Sequence, residues 1–142
     1  MKKRELELLL NSTKVDDRCP SLAISVNGQL TEVTCKEDIN KFQSTVQLGW
    51  NRVEISLLNK TIYDTKIDAK GNILQDLYVI IKSLKVNQLE ILPLAMINSK
   101  YIDSNGNKIL NTNGFMGFNG TYTFNIFYPT NIFIRNLNIK SV

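Results

Sequence analysis

Asp64, Asp68 and Asp76 crowd the short stretch "YDTKIDAKGNILQDLYV" around a Gly71-Asn72 turn. Their carboxylate oxygens are the hard ligands that calcium prefers, although the spacing differs from that of an EF-hand loop. The same residue type is standard in tight turns, where its side chain accepts backbone N–H bonds. On that reading Asp68 serves the turn Asp68–Asn72, and Asp64 caps the loop entrance with Thr65. The turn reading is preferred; no cofactor is expected, and Ca2+ on Asp64, Asp68 and Asp76 is the alternative.

Other chemistry is scarce. The chain has no histidine. That removes the commonest general base, the commonest zinc ligand and every Ser-His or Cys-His pair. Cys19 and Cys35 lack C-x-x-C spacing and are too few for a disulfide scaffold. They are read as reduced thiols, although they flank one strand closely enough to be bridged. Glu54 or Glu90 with an Asp could form a carboxylate pair, but both glutamates sit on alternating strands opposite apolar positions and face solvent, and no spacing sets two carboxyls across a cleft as glycosidase chemistry requires. The chain is therefore read as a non-enzyme.

The aromatics suggest binding. Trp50, Tyr63, Tyr101, Phe115, Phe118 and Tyr128 could stack on sugar rings. Within "NTNGFMGFNGTYTF" (Asn111–Phe124), Phe115, Met116 and Phe118 lie in a Gly-rich loop, where apolar residues suit contact with a partner. The loop could equally fold back over an open end of its own core, and Trp50 could be a core plug or a sheet-edge cover. Trp50, Phe115, Met116, Phe118 and Tyr101 are the candidate partner- or glycan-binding set.

The elements that must position these residues are strands. Apolar residues alternate at Leu6/Leu8/Leu10, Leu22/Ile24/Val26, Val53/Ile55/Leu57, Leu77/Val79/Ile81, Tyr122/Phe124/Ile126 and Ile132/Ile134. This period of two, rich in β-branched and aromatic residues, marks strands with one face buried. Asn27-Gly28, Gly71-Asn72, Asn105-Gly106, Asn113-Gly114 and Asn119-Gly120 punctuate them as turns. Lys36–Val46 places Ile39, Phe42 and Val46 at i, i+3 and i+7, which suits one short helix. The expected fold is all-β: a jelly roll or β-sandwich of two antiparallel sheets with at most one short helix. Residues 1–142 form a single domain. Residues 1–12, containing "RELELLL", are either a strand of that domain or an arm added to a neighbour's sheet.

At 142 residues and 43% hydrophobic content, the chain can bury a core without disulfides or metal. The net charge of +4 is dispersed, and the cluster Lys2-Lys3-Arg4 runs straight into Glu5 and Glu7. Direct nucleic-acid binding needs a denser basic patch and is not expected. No segment reaches the ~18 apolar residues of a membrane helix. Glu5 and Glu7 also break the apolar start that a secretory leader would need.

Two resemblances follow from these residues. In Leu48–Ile91, Asn59, Asp76, Leu77-Tyr78-Val79 and "LKVNQLEI" fall in the order found in jelly-roll xylan-binding modules that use calcium. Those modules carry Asp-Arg-Asn before the strand, where this chain has Leu74-Gln75-Asp76. The run from Asn59-Lys60 through "DTKIDAKGNILQD", with Phe118–Pro129, resembles small virion proteins of tailed phages infecting marine bacteria. The abundance of Asn, Ile and Lys agrees with an AT-rich host. The resemblance implies a virion protein, assembled in host cytoplasm as a capsid decoration or tail component. Its partners would be other virion proteins, in a homo-oligomer or a capsid or tail lattice. The alternative function is a carbohydrate-binding module for a polysaccharide such as a cell-surface glycan.

Overall fold

The computed structural model describes residues 4–140, the last five by their backbone alone. Residues 1–3 of the N-terminal segment, with Lys2 and Lys3, lie outside the described residues. β1 (Glu5–Ser12) sends Leu6, Leu8 and Leu10 inward, as its alternation predicts. β2 (Ser21–Val26) and β3 (Gln29–Thr34) form a hairpin across Asn27-Gly28, whose φ angles of 53° and 84° suit a two-residue turn. There follow β4 (Asp38–Thr45), β5 (Gly49–Leu57), a 3-10 turn (Ile62–Asp64), β6 (Thr65–Ile67), β7 (Ile73–Asp76), β8 (Val79–Val86) and β9 (Leu89–Glu90). The chain continues through α1 (Leu92–Ile97), β10 (Lys100–Asp103), β11 (Lys108–Ile109), β12 (Phe115–Met116), β13 (Gly120–Tyr128) and α2 (Thr130–Lys140).

One sheet runs β12-β8-β1-β4, with β9 also on β8; the other runs β11-β10-β13-β5-β2-β3. β6 and β7 pair only with each other. Leu8, Leu10, Ile81 and Leu84 from the first sheet and Ile24, Val53, Ile55 and Phe124 from the second share one core. A fully buried Leu such as Leu8 contributes about 1.5–3 kcal/mol of transfer free energy. The molecule is the two-sheet sandwich, of jelly-roll type, that the alternation predicts. β1 (Glu5–Ser12) lies between β8 and β4 and pairs with both.

Lys36–Val46 holds β4 and not a helix. β4 pairs with β1 over all eight residues, from Glu5↔Thr45 to Ser12↔Asp38. That pairing turns Phe42 toward the core and leaves Ile39 exposed. Eight paired residues outweigh a weak local helical pattern. Asn40 secures the entry: its Nδ2 donates to the Lys36 carbonyl (2.8 Å) and its Oδ1 accepts the Lys36 N–H (2.9 Å).

The helices lie elsewhere, two where at most one is expected. Ile132 and Ile134 belong to α2, not to a strand, and Phe133 between them is the buried side chain. The Pro129 carbonyl accepts the N–H groups of Ile132 (3.2 Å) and Phe133 (3.3 Å), starting the first turn. The strand expected from Leu77 begins at Val79. Leu77 is fully buried, but its N–H donates to the Asp64 carbonyl (3.0 Å) instead of a ladder partner. Cys19 and Cys35 are both free thiols, and burial raises the Cys35 pKa to about 11.

Candidate functional site

The alternation that buries Leu6, Leu8 and Leu10 points Glu7, Leu9 and Asn11 to the opposite face of the five-stranded sheet. At the Asn11 end of that face, β7 borders a cleft of about 520 Å³. Asn11, Thr13 and Lys14 come from the end of β1 and the residues after it, Glu37 from just before β4, and Asp38 from its first position. Ile73, Leu74, Gln75 and Asp76 come from β7, and Tyr78 and Ile80 close the lining. The Tyr78 ring lies against Phe115, with centroids 4.8 Å apart.

A two-stranded hairpin outside both main sheets needs other support. Three contacts provide it. Thr13 Oγ1 donates to the Asp76 carbonyl (2.7 Å) and accepts the Tyr78 N–H (2.8 Å), tying the end of β7 to β1. Lys60 Nζ donates to Asp76 Oδ1 (2.7 Å) and to the Gly117 carbonyl (2.7 Å), linking the hairpin to the loop after β12. Arg18 pairs with Asp64 at 2.6 Å and also donates to the Asn59 carbonyl. Burial pushes the Asp64 pKa up. The Thr61 N–H (2.6 Å) and Arg18 outweigh burial, so its carboxyl titrates below the ordinary value.

The three aspartates therefore do separate work. Asp64 caps the 3-10 turn through Thr61, not Thr65. Asp68 Oδ1 accepts the N–H groups of Lys70 (2.8 Å) and Asn72 (2.9 Å), and the Asn72 bonds hold its carboxyl below the usual range. Asp76 Oδ1 also accepts from Thr65 Oγ1 (2.8 Å). Two of the three carboxylates already hold a side-chain cation and the third holds turn N–H groups, so this donor set does not fit Ca2+. Among the described residues no group of three or more His, Cys, Asp or Glu could hold a metal ion.

The aromatic set divides by burial. Met116 is fully buried and Tyr101 is 2% exposed, which removes both from any binding surface. Tyr101 instead clamps the Gly-rich loop: its hydroxyl accepts the Phe118 N–H (3.1 Å) and donates to the Phe118 carbonyl. Tyr122 stacks on it at 5.2 Å, and its hydroxyl accepts the Gly114 N–H (3.1 Å). Held this way, the loop plugs the core with Met116 and presents Phe115 and Phe118 outward, 37% and 60% exposed. Trp50, about half exposed, covers Phe127 (5.3 Å) and Phe133 (6.4 Å) edge-on and is not among the cleft residues.

The two glutamates considered for catalysis, each with an Asp, lie on different sheets. Glu90 accepts from Ser83 Oγ (2.5 Å) and from the N–H groups of Leu84 and Leu92, while Glu54 lies near Arg52 on β5. Glu90 is exposed, as expected, and is also bonded to its own sheet. Sequence reasoning named Asp76 but missed Asn11, Thr13, Lys14, Glu37, Asp38, Gln75 and Tyr78 as a group. They come from three separate stretches, Asn11–Lys14, Glu37–Asp38 and Gln75–Tyr78, that only the sheet order brings together.

No family model matches the chain, and no curated protein matches it. The chain is similar in structure to vCBM60, a carbohydrate-binding module solved in complex with galactobiose. The TM-score is 0.54 at 16% identity, covering 86% of this chain and 99% of that one. At that identity the likeness shows a shared jelly-roll sandwich and extends to the fold alone.

Proposed function

We propose that this chain is a non-catalytic carbohydrate-binding module that takes a glycan in the cleft between β7 and the outer face of β1. The observation that carries this reading is the lining. Donors and acceptors of Asn11, Lys14, Glu37, Asp38 and Gln75 surround a hollow of about 520 Å³ that also has apolar surface from Tyr78, Ile73 and Ile80. A sugar ring presents the complement, hydroxyls around its rim and C–H groups on its faces, and hollows of ~300–1,000 Å³ suit small ligands. The fold likeness to a module solved with galactobiose supports the same ligand class. Binding proceeds without a metal on Asp64 or Asp76, because Arg18 and Lys60 already neutralise them.

A glycan array repeated with a chelator tests the reading, followed by calorimetric titration of any retained glycan. The expected result is equal retention with and without calcium. Asn11→Ala and Gln75→Ala should each weaken binding about 2- to 10-fold, the net worth of one hydrogen bond. No glycan retained under either condition would overturn the reading.

Assembly on a virion is the second reading. It is favoured by the exposed apolar side chains Ile62 and Tyr63 on the 3-10 turn and Phe118 on the loop that Lys60 ties to Asp76. Light scattering and mass spectrometry of purified particles test it. A strictly monomeric protein missing from particles removes it.

A further inference from the structure

The cleft shares its sheet face with another depression. The second, about 480 Å³, lies at the other end of β1, lined by Glu5, Glu7, Lys41, Gln43, Thr45 and Gln88 among others. β1 and β4 supply side chains to both. Glu7 and Asn11, one in each depression, are four residues apart, which is about 13 Å along a strand. Between them lie Leu9 and its β4 partner Lys41, which pairs with Glu7 at 3.4 Å. The face therefore reads Asn11-Leu9-Glu7 along β1 beside Ile39-Lys41-Gln43 along β4, polar side chains with Leu9 and Ile39 as the apolar members.

We infer that the depression at Glu7 and Gln43 is a second glycan subsite, and that the face binds one neutral polysaccharide chain laid along β1 from the Asn11 cleft. The inference rests on the glycan reading of that cleft and adds the length and charge class of its ligand. A disaccharide fills one depression; a longer chain spans both and adds hydrogen bonds to Gln43, Thr45 and Gln88. Among the carboxylates in the lining of the two depressions, Lys41 matches Glu7 and Lys60 matches Asp76, while Glu37 and Asp38 stand at the Asn11 cleft against the ammonium of Lys14. That lining disfavours uronate or sulfated chains, although the whole protein is basic.

Calorimetric titration with galacto-, xylo-, cello- and manno-oligosaccharides of two, four and six units tests this, with polygalacturonate as the anionic probe. The expected result is one series whose six-unit member binds about tenfold or more tighter than its two-unit member, the worth of two or three added net hydrogen bonds. Gln43→Ala/Thr45→Ala, both on the edge strand, should remove most of that gain and leave two-unit binding within about twofold. Two-unit binding without any gain in length overturns the second subsite and leaves the cleft reading standing. Failure of all four series overturns the cleft reading and this inference with it. Tighter binding of polygalacturonate than of the neutral chains overturns the charge class.

Discussion

Two hairpins of this molecule make the same turn and serve different ends. In Asp68–Asn72 and in Asp103–Asn107 the Asp Oδ1 accepts the N–H groups two and four residues on, at 2.8–2.9 Å. In both, the Gly, at φ 84°, donates its N–H to the Asp carbonyl. Around these twin turns the settings differ. β10–β11 extends the six-stranded sheet through the pairing of β10 with β13. β6–β7 belongs to neither large sheet and is held by Arg18–Asp64, Lys60–Asp76 and Thr13. The turn is a local property of the D-x-x-G-N sequence; the cleft depends on the contacts that hold the second strand of one such hairpin beside β1.

The two hairpins differ most at Arg18, which only the β6–β7 side possesses. Arg18→Ala leaves the Asp64 carboxylate, 4% exposed, without its cation. Removing one partner of a fully buried pair costs about 3–5 kcal/mol; Arg18 is 40% exposed, so about 2–3 kcal/mol is expected from denaturant unfolding. Glycan binding should fall in step, because the 3-10 turn and β7 are released together. An unchanged midpoint would mean that the β6–β7 hairpin is secured by its strands alone.

Acid should act on the same anchor. The Asp64 carboxyl titrates below the ordinary value of 3.8 in the folded chain. Its contribution is therefore fully present above that ordinary value and is lost as pH falls through the lower folded one. Unfolding free energy should decline across that window in the wild type. In Arg18→Ala the decline should begin at higher pH, since burial then meets less opposition. Identical pH profiles for the two proteins would remove Arg18 as the cause.

The other hairpin has its own sensitive point. A Cβ on Gly120 would lie 2.4 Å from the Ile102 carbonyl oxygen. Gly120→Ala must push β10 away from β13, at a cost of about 1–3 kcal/mol. Hydrogen exchange should rise along β10 and β11 while the Asn11 cleft keeps its glycan affinity. Loss of binding in this variant would couple regions that the comparison treats as independent.

Much of the fold was legible because alternation and turn chemistry are local. Leu6/Leu8/Leu10 and Asn27-Gly28 carry their strand and hairpin in their own residues. Lys36–Val46 and Ile132–Ile134 misled because each supports either period over so short a run, and pairing with β1 or the turn at Pro129 decided. The site was less legible. Tyr101 and Met116 have the residue types of a binding surface, yet the sheet register turns them inward. Asn11, Glu37 and Gln75 carry no motif and become neighbours only through the order β8-β1-β4 and the anchoring of β7.

The smallest effects test whether the twin turns are equivalent. Asp68→Ala and Asp103→Ala each remove an oxygen that accepts two backbone N–H groups in an exposed turn. Water takes over those donors, so each change should lower the melting temperature only slightly, and by the same amount in both variants. Melting in the presence and absence of calcium completes the test. If the turn is all that Asp68 serves, calcium leaves the wild-type melting temperature unmoved, as it does for both variants. A calcium-dependent rise abolished by Asp68→Ala and by Asp76→Asn, but kept in Asp103→Ala, would return the metal reading to this hairpin alone. It would also show that identical turns can differ in chemistry through the second carboxylate one of them brings near.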